Sequence, residues 1–134
     1  MRTRFADTYF YLALLDEKDQ HHAEVTAFAS EADDAIVTTR WVLAETANAL
    51  AGSVSRSTVA GFLEQLESDS EVRIIGSSDA LYRRGLALYG RRADKSWSLT
   101  DCISFVVMEE QGLRQALTGD RHFVQAGFEA LFAK

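Results

Sequence analysis

Apolar and polar positions alternate along the chain between short runs of branched residues and longer stretches with apolar residues three and four apart. Arg4-Phe5-Ala6 is too short to define a strand alone, but Tyr9, Phe10, Leu12, Ala13 and Leu15 behind it predict a helix, with Asp7-Thr8 at the junction. A polar loop over Asp16 to Gln20 precedes a helix from His21 to Ala32 whose apolar stripe is Val25 and Phe28. Ala35-Ile36-Val37-Thr38 has the branched composition of a central strand. The next helix begins near Thr39 to Trp41, ends about Ala51 and is apolar on nearly every side; Glu45 and Asn48 are the exceptions and share a face. After a Ser/Gly loop, Val59, Phe62, Leu63 and Leu66 give an amphipathic helix over Ser57 to Glu67, and Glu71 to Gly76 a strand. Ser77-Ser78-Asp79 caps a helix through Tyr89, and Arg91 to Trp97 is a loop. Ser98 and Asp101 have capping-box spacing, and the apolar run from Cys102 to Met108 predicts a buried helix that Gly112 stops. Gln115 to Thr118 is a short strand ending at the Gly119-Asp120 turn, Phe123 to Ala126 one helical turn, and Phe128 to Phe132 a last strand.

Strands alternating with helices predict a three-layer α/β/α fold around a parallel sheet of four to five strands. Ligands in such folds bind outside the carboxyl ends of the strands. Asp7 and Asp120 each follow an expected strand, and Asp101 opens a helix, so these acids are expected to face one crevice.

At 134 residues, the chain is expected to form a single domain over residues 1–134, with the 47% hydrophobic and 25% charged composition of a soluble globular protein. The 14 Lys and Arg against 20 Asp and Glu give a net charge of −6, without the basic surplus of a nucleic-acid-coating protein. That does not exclude a nucleic-acid enzyme, because a bound divalent cation reverses the local sign. Cys102 is the only cysteine, so neither an intrachain disulfide nor a cysteine-based zinc site is expected. With no apolar run of membrane-spanning or signal-peptide length, the expectation is a cytoplasmic protein without a membrane partner.

Each acid has an ordinary structural role open to it. Asp7 can cap the following helix, Asp101 can answer a helix dipole, and Asp120 can serve a turn. Glu45 has no basic residue three or four positions away, so on a buried helix it needs a partner from elsewhere in the fold. Converging acids without basic partners repel one another unless a cation sits between them, and carboxylates suit magnesium or manganese. Arg83, Arg84, Arg91, Arg92 and Lys95 are the densest basic stretch, suited either to an RNA backbone or to a solvated helix face. His122 is a candidate substrate contact. His21 and His22 suit capping or surface roles, and Cys102, Trp41 and Trp97 the core.

Phe5-Ala6-Asp7-Thr8, Trp41-Val42-Leu43-Ala44-Glu45-Thr46, Trp97-Ser98-Leu99-Thr100-Asp101-Cys102 and Leu117-Thr118-Gly119-Asp120-Arg121-His122-Phe123 together resemble the PIN domain, over nearly the whole chain. They are most similar to the small proteins of VapC type, the toxin halves of toxin–antitoxin pairs. The resemblance implies a Rossmann-like sheet and a magnesium- or manganese-dependent endoribonuclease leaving 5′-phosphate and 3′-hydroxyl ends. It implies Asp7, Glu45, Asp101 and Asp120 as the catalytic, metal-holding acids, and Thr118 as a supporting hydroxyl. An antitoxin would cover the acidic crevice with an Arg or Lys, and Tyr9, Phe10 and Tyr11 are candidates for that contact or for a homodimer. The competing expectations are a stand-alone PIN nuclease of RNA processing or decay, a non-catalytic interaction module whose acids only cap helices, and a receiver-like phosphoacceptor. The last wants paired acids after the first strand, where this chain has Asp7-Thr8.

Overall fold

Five strands form one parallel sheet in the computed structural model of the chain, which describes residues 1–134. The elements run β1 (Thr3–Ala6), α1 (Thr8–Leu15), α2 (His22–Glu31), β2 (Ala35–Thr39), α3 (Arg40–Ala49), α4 (Arg56–Ser68) and β3 (Val72–Ile75). They continue with α5 (Asp79–Arg91), α6 (Leu99–Gln111), β4 (Gln115–Leu117), α7 (Arg121–Gln125) and β5 (Glu129–Ala130). Strand order is β3-β2-β1-β4-β5, with Phe5 in register with Val37 on one side and Ala116 on the other.

This order fixes where a ligand can sit. The chain leaves β1 toward β2 and leaves β4 toward β5, so the outgoing connections diverge between β1 and β4. A crevice opens at such a switch point, beyond the carboxyl ends of the strands. Both sheet faces are covered: Arg4, Phe5 and Ala6 are all buried, although successive strand residues point to opposite faces. The core gathers Phe5, Tyr11, Ile103, Met108, Leu117 and Phe123, and Phe105 stacks edge-on against both Trp97 and Phe123. Arg4 is buried with them because its guanidinium pairs with Asp34 and its Nε donates to Gln115 Oε1 (2.9 Å).

Three expectations are corrected. The helix over α3 is not apolar on nearly every side in effect: Ala44 and Ala49 are exposed, and its buried residues are Val42, Leu43 and Thr46. Alanine carries too little apolar surface to hold a helix face against the core. The last strand is shorter than Phe128 to Phe132, because regular pairing covers only Glu129–Ala130, although Phe132 N–H still donates to the Thr118 carbonyl (2.9 Å). Phe10 and Tyr11 are buried at 4% and 1% exposure, so among the early aromatics only Tyr9 is available to a partner. Gly112 ends α6 in the left-handed region (φ 69°), a conformation glycine adopts without strain. No helix is long and apolar enough to cross a membrane.

Candidate active site

Asp7 directly follows β1 and is buried at 4% exposure. Its backbone occupies the N-cap of α1, yet its carboxylate makes no capping hydrogen bond. The ordinary helix-cap role is therefore not the one its side chain performs. Instead Thr118 Oγ1, just past β4, donates to Asp7 Oδ2 (2.8 Å) and accepts the Asp120 N–H (3.0 Å). One buried hydroxyl thus joins the ends of adjacent strands.

Asp101 and Asp120 do perform their local roles, and more. Ser98 and Asp101 form a capping box at the start of α6, with Ser98 Oγ accepting the Asp101 N–H (3.0 Å) and Asp101 Oδ2 accepting the Ser98 N–H (3.1 Å). The same Oδ2 lies 2.9 Å from His122 Nδ1, within hydrogen-bond distance. Asp120 caps α7 by accepting the His122 N–H (2.8 Å), and its Oδ1 lies 3.4 Å from His122 Nδ1. His122 is accordingly wedged between two acids.

Glu45 stands at the margin of this group. It is half-buried on α3, and its carboxylate accepts a hydrogen bond from the hydroxyl of Thr8, the neighbour of Asp7. The partner from elsewhere in the fold is a hydroxyl rather than a cation.

Burial pushes the Asp7 carboxyl up to about 7, opposed by the Thr118 hydrogen bond and reinforced by the negative charge of Asp101 and Asp120. Asp101 is also raised, first by burial and then by Asp120, against the hydrogen bonds from His122 and Ser98. Neither acid is salt-bridged to a Lys or Arg; the one basic partner within reach of Asp101 is His122. A carboxylate cluster that lowers its own tendency to ionise gains most from a small, hard cation, and its oxygen donors are those magnesium and manganese take. One ligand atom from each of Asp101, Asp120 and His122 lies within 4.8 Å of the others. The donors present therefore fit a divalent cation, with Asp7 beside them through Thr118.

The surroundings include groups that sequence spacing did not single out. Ser96 Oγ lies 3.3 Å from His122 Nε2. The Tyr9 ring packs so closely on Gly119 that a Cβ there would fall 2.5 Å from Tyr9 Cζ. Thr8 was legible only as a junction residue, because nothing local marks it as the partner of a helix 37 residues away. The basic stretch divides. Arg83 and Arg84 are exposed on α5, with Arg84 paired to Glu110 (2.7 Å), and Arg91 is exposed at its end. Arg92 and Lys95 line a cleft that reaches Ser96. Neither His21 nor His22 joins the acids: His22 Nδ1 is 2.6 Å from the Ala13 carbonyl and His21 packs against Tyr9.

Similar architecture occurs in VapC20 from Mycobacterium tuberculosis, a sarcin–ricin-loop-cleaving toxin, with a TM-score of 0.84 and 24% identity over 92% of this chain and 95% of that one. FitAcB from Neisseria gonorrhoeae is similar with a TM-score of 0.59 and 17% identity, over 94% of each chain. These likenesses are of fold. No curated protein sequence matches significantly. The family model described as PIN domain matches residues 4–129, from the buried arginine of β1 to the start of β5, and the chain belongs to the PIN-domain family.

Proposed function

We propose that this protein, as a single PIN domain, is a metal-dependent endoribonuclease and the toxin of a VapBC-type toxin–antitoxin pair. The observation that supports the reading is the cluster of Asp101, Asp120 and His122, to which Asp7 is joined through Thr118, with no Lys or Arg salt-bridged to the three acids. Asp7, Asp101 and Asp120 hold magnesium or manganese, and Glu45 completes the acidic set from the α3 side. Thr118 fixes the Asp7 carboxylate by its 2.8 Å hydrogen bond, and His122 holds Asp101 Oδ2 from the opposite side at 2.9 Å. When bound, the cation supplies positive charge that offsets the phosphate and favours attack by water on phosphorus.

The toxin part of the reading draws on the likeness to VapC20. It implies a protein antitoxin in the same cytoplasm, whose Arg or Lys would enter the acidic crevice, and a homodimeric toxin. A PIN nuclease without an antitoxin would share the same acids, and co-purification of a small partner on co-expression separates the two.

The activity is tested by incubating RNA with the protein in magnesium or manganese, with and without EDTA, and analysing the ends formed. Cleavage that needs the cation, leaves 5′-phosphate and falls at least about a hundredfold in Asp101→Asn, the order of loss for a key electrostatic group, is expected. A folded Asp101→Asn protein that cuts at the wild-type rate would refute the assignment.

A further inference from the structure

We infer that the cleft between the end of α5 and the start of α6 is a binding site for an unpaired stretch of RNA, with Tyr89 and the Arg92 guanidinium plane as stacking surfaces and Lys95 as a phosphate contact. The inference rests on the nuclease reading above and names how the substrate is held. The cleft has a volume of about 430 Å³, in the range of built ligand sites, and its wall includes Tyr89, Arg92, Lys95, Ser96, Trp97 and Cys102. No acid lines it. It borders the acidic cluster at Ser96, whose Oγ lies 3.3 Å from His122 Nε2.

Three features select the occupant. In a chain of net charge −6, Lys95 without a salt bridge and Arg92 paired to Asp94 line the cleft, beside a cluster of acids whose only basic partner within salt-bridge distance is His122. A polyanion crossing from one to the other meets Lys95 with a flanking phosphate and leaves one phosphate over the acids. The Arg92 guanidinium lies 4.9 Å from the Trp97 ring centre while Asp94 holds its edge at 3.0 Å. That arrangement fixes a flat, positively charged plane at the wall, of the kind on which a base stacks. Tyr89 is 49% exposed and belongs to an exposed stripe with Leu86 and Tyr82, one and two turns earlier on α5. Stacking of this kind requires bases free of a duplex, which is why the occupant is single-stranded.

Binding and cleavage are measured separately. Anisotropy of a labelled single-stranded RNA oligonucleotide is followed in EDTA between about 50 and 200 mM salt. Tyr89→Ala should weaken binding about tenfold, the scale of one lost base stack, and Tyr89→Phe should restore it. Lys95→Ala should reduce the slope of log affinity against log salt by about 0.7, as expected for one lost single-strand phosphate contact. The same oligonucleotide in duplex form should bind more weakly and be indifferent to Tyr89. In cleavage with manganese, Tyr89→Ala should raise KM for RNA, and the wild-type protein should hydrolyse bis-p-nitrophenyl phosphate as well as RNA. Unaltered RNA affinity in both Tyr89→Ala and Lys95→Ala overturns the cleft assignment and leaves the nuclease reading standing. Tyr89-dependent RNA binding without hydrolysis of either substrate overturns the nuclease reading instead. Binding of an acidic peptide in the cleft, with RNA affinity insensitive to both residues, assigns it to a protein partner and also overturns the proposal.

Discussion

Burying Asp7 without a salt bridge makes the metal-free fold less stable as pH rises. Its ordinary value is 3.8 and its folded value about 7, so both states are protonated below about pH 4 and the site then carries no penalty. Between these values the unfolded chain ionises first, so stability is lost as pH rises and the loss levels off above about 7, at ~1.4 kcal/mol per unit of separation. Asp7→Asn should therefore raise the melting temperature of EDTA-treated protein at mildly alkaline pH and flatten that part of the pH profile. Thermal melts from acid to alkaline pH check it, and an equal slope in the variant would show that Asp7 ionises freely. Thr118→Val removes the donor to Asp7 and the acceptor for Asp120 N–H, both buried or half-buried, at a cost of roughly 1–3 kcal/mol, whereas Thr118→Ser keeps both. Denaturant titration of the pair should separate them by about that amount. At this scale the chain was partly legible. The acids were marked by their place after strands and at a helix start, whereas the Thr8–Glu45 bond and the wedging of His122 depend on contacts that no local spacing encodes.

Elements were more legible than contacts because their ends carry chemistry. The capping serines before α5 and α6 and the glycine after α6 mark boundaries that the backbone adopts. The exceptions have physical causes. A strand as short as β1 has too few residues for a period, and the alanines of α3 made its apolar face look wider than it packs. Helix propensity alone also fails to rank the glycines. Gly61 lies in α4 with open space beyond it, so Gly61→Ala should stabilise the fold by roughly 1 kcal/mol. Gly85 lies in α5 with Ile103 of α6 against it, and an added Cβ would fall 2.3 Å from Ile103 Cγ1 and 3.2 Å from its Cα. Gly85→Ala should destabilise by about 1–3 kcal/mol instead, despite the same gain in propensity. Urea denaturation of the two variants tests the sign; stabilisation by Gly85→Ala would contradict the close α5–α6 approach.

At the scale of the molecule, the site depends on strand order, which no local pattern encodes. Asp7 and Thr118 lie 111 residues apart and meet only because β4 pairs with β1 on the side away from β2. Alternation of elements predicts a parallel sheet but not which strands become neighbours, and the β1–β4 pairing is what joins Asp7 to Asp120 through Thr118. The central claim is that these acids together hold a divalent cation. Manganese titration followed by the electron paramagnetic resonance of free Mn2+ measures this without reference to RNA. The account predicts binding by the wild type, at least about tenfold weaker binding in Asp101→Asn and in Asp7→Asn as for loss of a metal-site partner, and no change in Glu64→Gln on the exposed side of α4. Equal manganese affinity in folded wild type, Asp7→Asn and Asp101→Asn would contradict it.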